Sequence, residues 1–151
     1  PTQASAEINS LNAKTNFLAD TKAAKKLSIS LIYSETTDGK KAATILKKFL
    51  KNRVASIQMI PFVGIERAAD QVYAPSVAQE MAEQSLSDLQ EKLVKHLNKM
   101  NSRSETIHIN ITGGFKAEAA IIYFIGFHQS IPVYYLHESF KTCIHLPSGH
   151  D

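Results

Sequence analysis

The stretch INITGGFKAEAAII, residues 109–122, joins an alternating apolar run to a helical run through Gly113 and Gly114, with Lys116 just beyond. Glycines adopt positive φ readily and can turn their N–H groups outwards, and a helix opening at about Phe115 would aim the positive end of its dipole at the same space. An anion such as a phosphate would be held there by backbone donors, helped by the Thr112 hydroxyl and the Lys116 ammonium. The spacing is neither the P-loop, which needs four residues between Gly and Gly-Lys, nor the dinucleotide motif G-x-G-x-x-G. It also allows a plain strand-to-helix turn with a surface lysine.

SETTDGK, residues 34–40, sets the hydroxyls of Ser34, Thr36 and Thr37 ahead of a second helix start. It could form another wall of the same anion site, or simply cap its helix through Thr37 or Asp38. The six histidines show no metal-ligand spacing: His108 and His145 fall in expected strands, His96 in a helix, and His128, His137 and His150 are scattered. No metal is expected. His137 and Glu138 near a strand end read as packing or solvent contact. Cys143, the one cysteine, lies in an expected strand and reads as a small packing residue in a reducing compartment. Neither paired carboxylates nor a Ser-His-Asp arrangement emerges from spacing.

The elements that would position these loops follow from periodicity. Residues 5–18 place Ile8, Leu11 and Leu18 at helical spacing, with Ser5 or Thr2 as a cap. Residues 27–33 (LSISLIY) alternate as a strand and stop at the turn formers of SETTDG. Residues 40–50 put Ala43, Leu46, Phe49 and Leu50 on one helical face and lysines on the other, a solvated face. A second strand, 54–60, is expected to end at Pro61. The longest helix spans 76–100, a third strand 106–111, an almost wholly apolar helix 115–127, and two short strands, 133–137 and 142–146, form a hairpin. Strands alternating with crossover helices imply an α/β fold: a Rossmann-like, mostly parallel sheet with flanking helices and a C-terminal antiparallel hairpin. Ligands of such sheets gather beyond the carboxyl ends of the strands. SETTDG, PFVG and TGGFK make that edge here.

With 151 residues the chain suits one domain, 1–151. Hydrophobic residues at 44% and charged residues at 21% exclude a disordered or membrane-embedded composition. A formal net charge of +3 leans towards an anionic partner without requiring one. No apolar run reaches membrane-spanning length, and no signal peptide is visible. Pro1 in place of an initiating Met, followed at once by a helical pattern, suggests the cut end of a longer protein.

Asn110-Ile111-Thr112-Gly113-Gly114-Phe115-Lys116, entering an apolar helix and followed by Pro-Val-Tyr-Tyr at 132–135, resembles the CRISPR-associated Rossmann-fold family, the CARF domains. ASAEINSL at 4–11 and LIYSETTDGKKAA at 31–43 look like the same family, so the resemblance covers nearly the whole chain. It implies a sensor of cyclic oligoadenylate, the second messenger made by type III CRISPR complexes, most often cyclic tetra-adenylate. It further implies a homodimer in which two copies of the Gly-Gly-Phe-Lys loop face one two-fold symmetric ring. The implied ligand contacts are Thr112, Gly113, Gly114, Phe115, Lys116, Ser34 and Thr36, with Asn9 a weaker one. No cofactor, metal or stable duplex nucleic acid is implied. The output would be an effector segment fused upstream, including a membrane helix as one form, on a cytoplasmic protein that such a helix would tether to the inner membrane. The alternative is a ring nuclease in which a 2′-OH attacks the adjacent phosphate in line and Lys116 stabilises the developing charge. In one respect the chain departs from the family pattern. Members begin with a strand before the ASAEINSL-like helix, and here that strand has either been removed or the sheet is built without it.

Overall fold

Ile29 and Leu31 face one way along their strand and Ser30 and Ile32 the other, and that alternation organises the fold into layers. The computed structural model describes residues 5–65, 73–103, 106–114, 116–137, 139 and 141–149. Its elements run α1 (Ala6–Thr15), α2 (Thr21–Ala24), β1 (Ser28–Ser34), α3 (Thr37–Leu50), β2 (Ser56–Phe62), α4 (Pro75–Asn101), β3 (Ile109–Asn110), α5 (Lys116–His128), β4 (Val133–His137) and β5 (Thr142–His145). The first face of β1 packs with Ile8, Phe17 and Leu50 under α1 and α3. On the opposite face Ile32 joins Leu93, Leu97, Ile109, Ile125 and Val133, which belong to α4, α5 and the strands beside them.

The mixed α/β fold, its parallel pairings and its closing antiparallel hairpin match the expectation. β1 pairs with β2 in parallel, β3 with β4 in parallel and β4 with β5 antiparallel. The sheet, however, comes in two pieces: β1 and β2 form one, and β3, β4 and β5 the other, with no hydrogen bonding between them.

Several element limits differ from those expected. β2 continues through Pro61 to Phe62. Glu35 N–H donates to Phe62 O, so even-numbered residues of β2 turn towards β1 and Pro61 turns its missing donor to the open edge, where proline is tolerated. α3 opens at Thr37 because the Thr36 hydroxyl accepts from Gly39 N at 3.0 Å, ahead of the lysine run. The short helix α2 was not anticipated; Asp20 caps it by accepting from Lys22 N and Ala23 N. β3 is two residues instead of six. Ile109 N donates to Pro132 O, and the next bond back along the ladder would need an N–H that Pro132 lacks. α1 ends earlier than residue 18, at Asn16, whose φ of 54° and N–H to Asn12 O close the helix.

Candidate functional site

The carboxyl ends of β1 and β3 open on one groove of about 1010 Å³ between the two sheets. Among the residues expected to hold a ligand, Ser34, Thr36, Gly113 and Gly114 all border it. Thr112, Lys116 and Asn9 do not line it, and Phe115 lies outside the described residues. Glu138, suggested beside His137 at the end of β4, also lies outside them.

The loop after β1 is held by its own hydroxyls. Ser34 Oγ and Thr36 Oγ1 are 3.0 Å apart, and Thr36 also caps α3. The loop after β2 is tied to α4: Asp88 accepts from Val63 N at 2.6 Å, and Ser85 Oγ donates to Val63 O at 2.6 Å. Asp88 also pairs with Lys92 at 2.9 Å.

After β3 the chain turns through Gly114 at φ 110°, a backbone state that side chains oppose. Thr112 is committed to the frame of this turn. Its hydroxyl donates to Asn110 Oδ1 at 2.7 Å and accepts from Leu136 N at 2.9 Å, while its own N–H donates to Asn110 Oδ1 at 3.0 Å. The Asn110 amide in turn donates to Ser10 Oγ at 2.6 Å, which fastens α1 to the loop. Lys116 begins α5 as an exposed side chain with no hydrogen bond or ion pair to the described residues.

Periodicity did not reveal the acidic rim. Glu7, Asp38 and Glu118 border the groove from the first turns of α1, α3 and α5. Each carboxylate there complements the positive end of its own helix dipole. The Glu7 carboxylate approaches Gly113 so closely that a Cβ on that glycine would lie 2.1 Å from Oε1. The signal that could have exposed this rim was present: each helix following the sheet edge carries an acid in its opening turn. Three helix starts therefore offer N–H groups and positive dipole ends along the rim, partly answered by the protein's own carboxylates.

Deeper in the groove, Ser30 Oγ and His96 Nε2 are 2.8 Å apart, with His96 buried on α4. His108, on the other wall, is held below the ordinary imidazole range by burial first, then by the charges of Lys14 and His145. Among the described residues no group of three His, Cys, Asp or Glu side chains could hold a metal ion. None of the described helices is long and apolar enough to cross a membrane.

Residues 2–149 match a family model described as CRISPR-associated protein (Cas_APE2256). A comparison with curated proteins found no match. Among solved structures, the crystal structure of protein VC1899 from Vibrio cholerae superposes with a TM-score of 0.60 at 12% sequence identity, over 95% of this chain and 32% of that one. At that identity the likeness concerns the fold alone, and the chain spans about a third of that protein's length.

Proposed function

Because the chain belongs to the CRISPR-associated protein (Cas_APE2256) family, we propose that it is a ligand-sensing domain of CRISPR defence. In this reading it binds cyclic oligoadenylate, with cyclic tetra-adenylate as the first ligand to test, at the carboxyl edge of its strands. The observation that carries the reading is the convergence of the Ser34–Thr36 loop and the Gly113–Gly114 turn on one groove, at the N-termini of α1, α3 and α5. Phosphates would take N–H groups from those helix starts and charge from Lys116, the exposed cation beside the turn. The acidic rim suits the nucleobases better than the phosphates, since a carboxylate accepts well from an exocyclic amine.

A homodimer is supported by α5. Ile125 and Gly126 are buried against the sheet, whereas Phe124 is 55% and Phe127 38% exposed on the same helix. An isologous contact through these rings would set two copies of the Gly113–Gly114 turn about one two-fold axis. Ligand binding would then shift the dimer geometry of an attached effector.

The test is incubation of the protein with labelled cyclic tetra-adenylate, followed by resolution of bound and free species and of products. The sensor reading expects saturable binding with the ring intact. Absence of binding to rings of any size would overturn it. Linear products ending in a 2′,3′-cyclic phosphate would instead identify a ring nuclease, with Glu7 beside Gly113 as the nearest carboxylate to accept the 2′-OH proton.

A further inference from the structure

The groove between the two sheets has the dimensions and chemistry of an absent β-strand. In a parallel ladder the N–H and C=O of one residue point to the same side, and successive residues alternate. Glu35 N donates to Phe62 O and Leu27 O accepts from Ala55 N, so odd-numbered residues along β1 turn to β2. Ser28, Ser30, Ile32 and Ser34 therefore turn their backbone groups into the groove. From the other wall, Ile109 N and Ile111 N donate to Pro132 O and Tyr134 O in the β4 direction, which leaves His108 and Asn110 facing β1. These two edges are not hydrogen-bonded to each other.

Above and below, the groove is apolar: Ile8 and Leu11 of α1 border it on one side, and Leu89 and Leu93 of α4 on the other. Buried backbone donors and acceptors need partners, and apolar walls need apolar side chains. An extended peptide with hydrophobic residues on both faces supplies both at once, as central strands of parallel sheets do.

The course of the chain indicates which peptide. Glu7, in the first turn of α1, lies against Gly113 at the carboxyl edge. Polypeptide leading into α1 therefore arrives from that edge, where a strand running parallel to β1 and β3 would end. α1 then packs over Ile29 and Leu31 before the chain enters β1, completing a strand–helix–strand unit.

We infer that the stretch of the full-length polypeptide leading into α1 occupies this groove as a strand parallel to β1 and β3. The two sheets thereby become one, in the order β2, β1, inserted strand, β3, β4, β5. The strand is about as long as β1, which has 7 residues, and is apolar on both faces. This inference is independent of the ligand reading, since it concerns the sheet below the site.

Hydrogen exchange on the full-length protein, followed amide by amide, tests it. Ser28, Ser30, Ile32, Ser34, His108 and Asn110 should exchange as slowly as Leu31 and Tyr33, at least a hundredfold below the free-peptide rate. A strict alternation along β1, with odd-numbered amides slow and even-numbered ones at near free-peptide rates, would overturn the inference. Its occupant is identified by Ser28→benzoylphenylalanine in an equal mixture of isotopically light and heavy full-length protein. A photo-cross-link from position 28 to the upstream peptide of the same copy supports the inference. A link to the upstream peptide of the other copy, to a different polypeptide, or to no peptide overturns it.

Discussion

The Glu7 carboxylate lies against Gly113, with a Cβ at that glycine placed 2.1 Å from Glu7 Oε1. An acidic side chain thus stands at the turn that the proposed function assigns to a phosphate. Removing its charge should tighten the binding of an anionic ligand. At roughly 4 Å in water a like-charge contact costs about 1 kcal/mol, so Glu7→Gln should improve affinity for cyclic tetra-adenylate roughly fivefold. Gly113→Ala should weaken binding, and Glu7→Ala should relieve part of that loss. A double-mutant cycle by isothermal titration that shows strict additivity would separate Glu7 from the turn.

Lys116 is exposed at the start of α5 and holds no described partner, so its truncation should leave the fold intact. Lys116→Ala is expected to weaken the same ligand at least tenfold and to flatten the dependence of affinity on salt. Thermal melting should show no change in the unliganded protein. If the variant bound as tightly as the parent, the anion site would lie elsewhere.

Gly39 sits in the first turn of α3, under the loop that carries Ser34. A Cβ there would fall 2.3 Å from the Ser34 carbonyl oxygen and 2.4 Å from its hydroxyl, and the carbonyl belongs to backbone that cannot swing aside. Gly39→Ala should therefore destabilise the fold by about 1–3 kcal/mol, against the gain that alanine usually brings to a helix. Urea unfolding measures this directly, and an unchanged midpoint would show that the β1–α3 loop yields easily.

Tyr134 is buried at 3% exposure, and its phenol is pushed up to about 12, by burial first and by the neighbouring Cys143 thiolate second. The folded state therefore keeps the proton that the unfolded chain loses near pH 10. Stability from this group is intact below that pH and falls as pH rises from about 10 towards 12, with a slope approaching 1.4 kcal/mol per unit, roughly. Tyr134→Phe should remove that slope in alkaline unfolding curves. Burial also raises the Cys143 thiol, so Cys143→Ser provides the control for its share.

Much of the fold was written in local pattern. Alternation in LSISLIY marked β1, and the apolar spacing of Leu89, Leu93 and Leu97 marked α4, because each signal depends only on which side of one element is buried. Both loops of the candidate site were legible for a related reason. Ser34, Thr36, Gly113 and Gly114 stand where a strand must stop and a helix start, and turn and cap chemistry is local.

Partnership was not legible, because it joins residues far apart in the chain. Thr112 looked like a ligand hydroxyl in the sequence, yet only the approach of Leu136 and Asn110 commits it to the frame of the turn. Glu7 and Gly113 are brought together by the packing of α1 across β3 and β5, fixed in part by Ser10 and Asn110. The break in the sheet was equally hidden, since the alternation of a strand reports the burial of its faces and not what borders its edges. The sequence by itself determined the elements and the two loops that end them. Only the tertiary structure decided which carboxylates share those loops and that β1 and β3 face each other across an unfilled strand position.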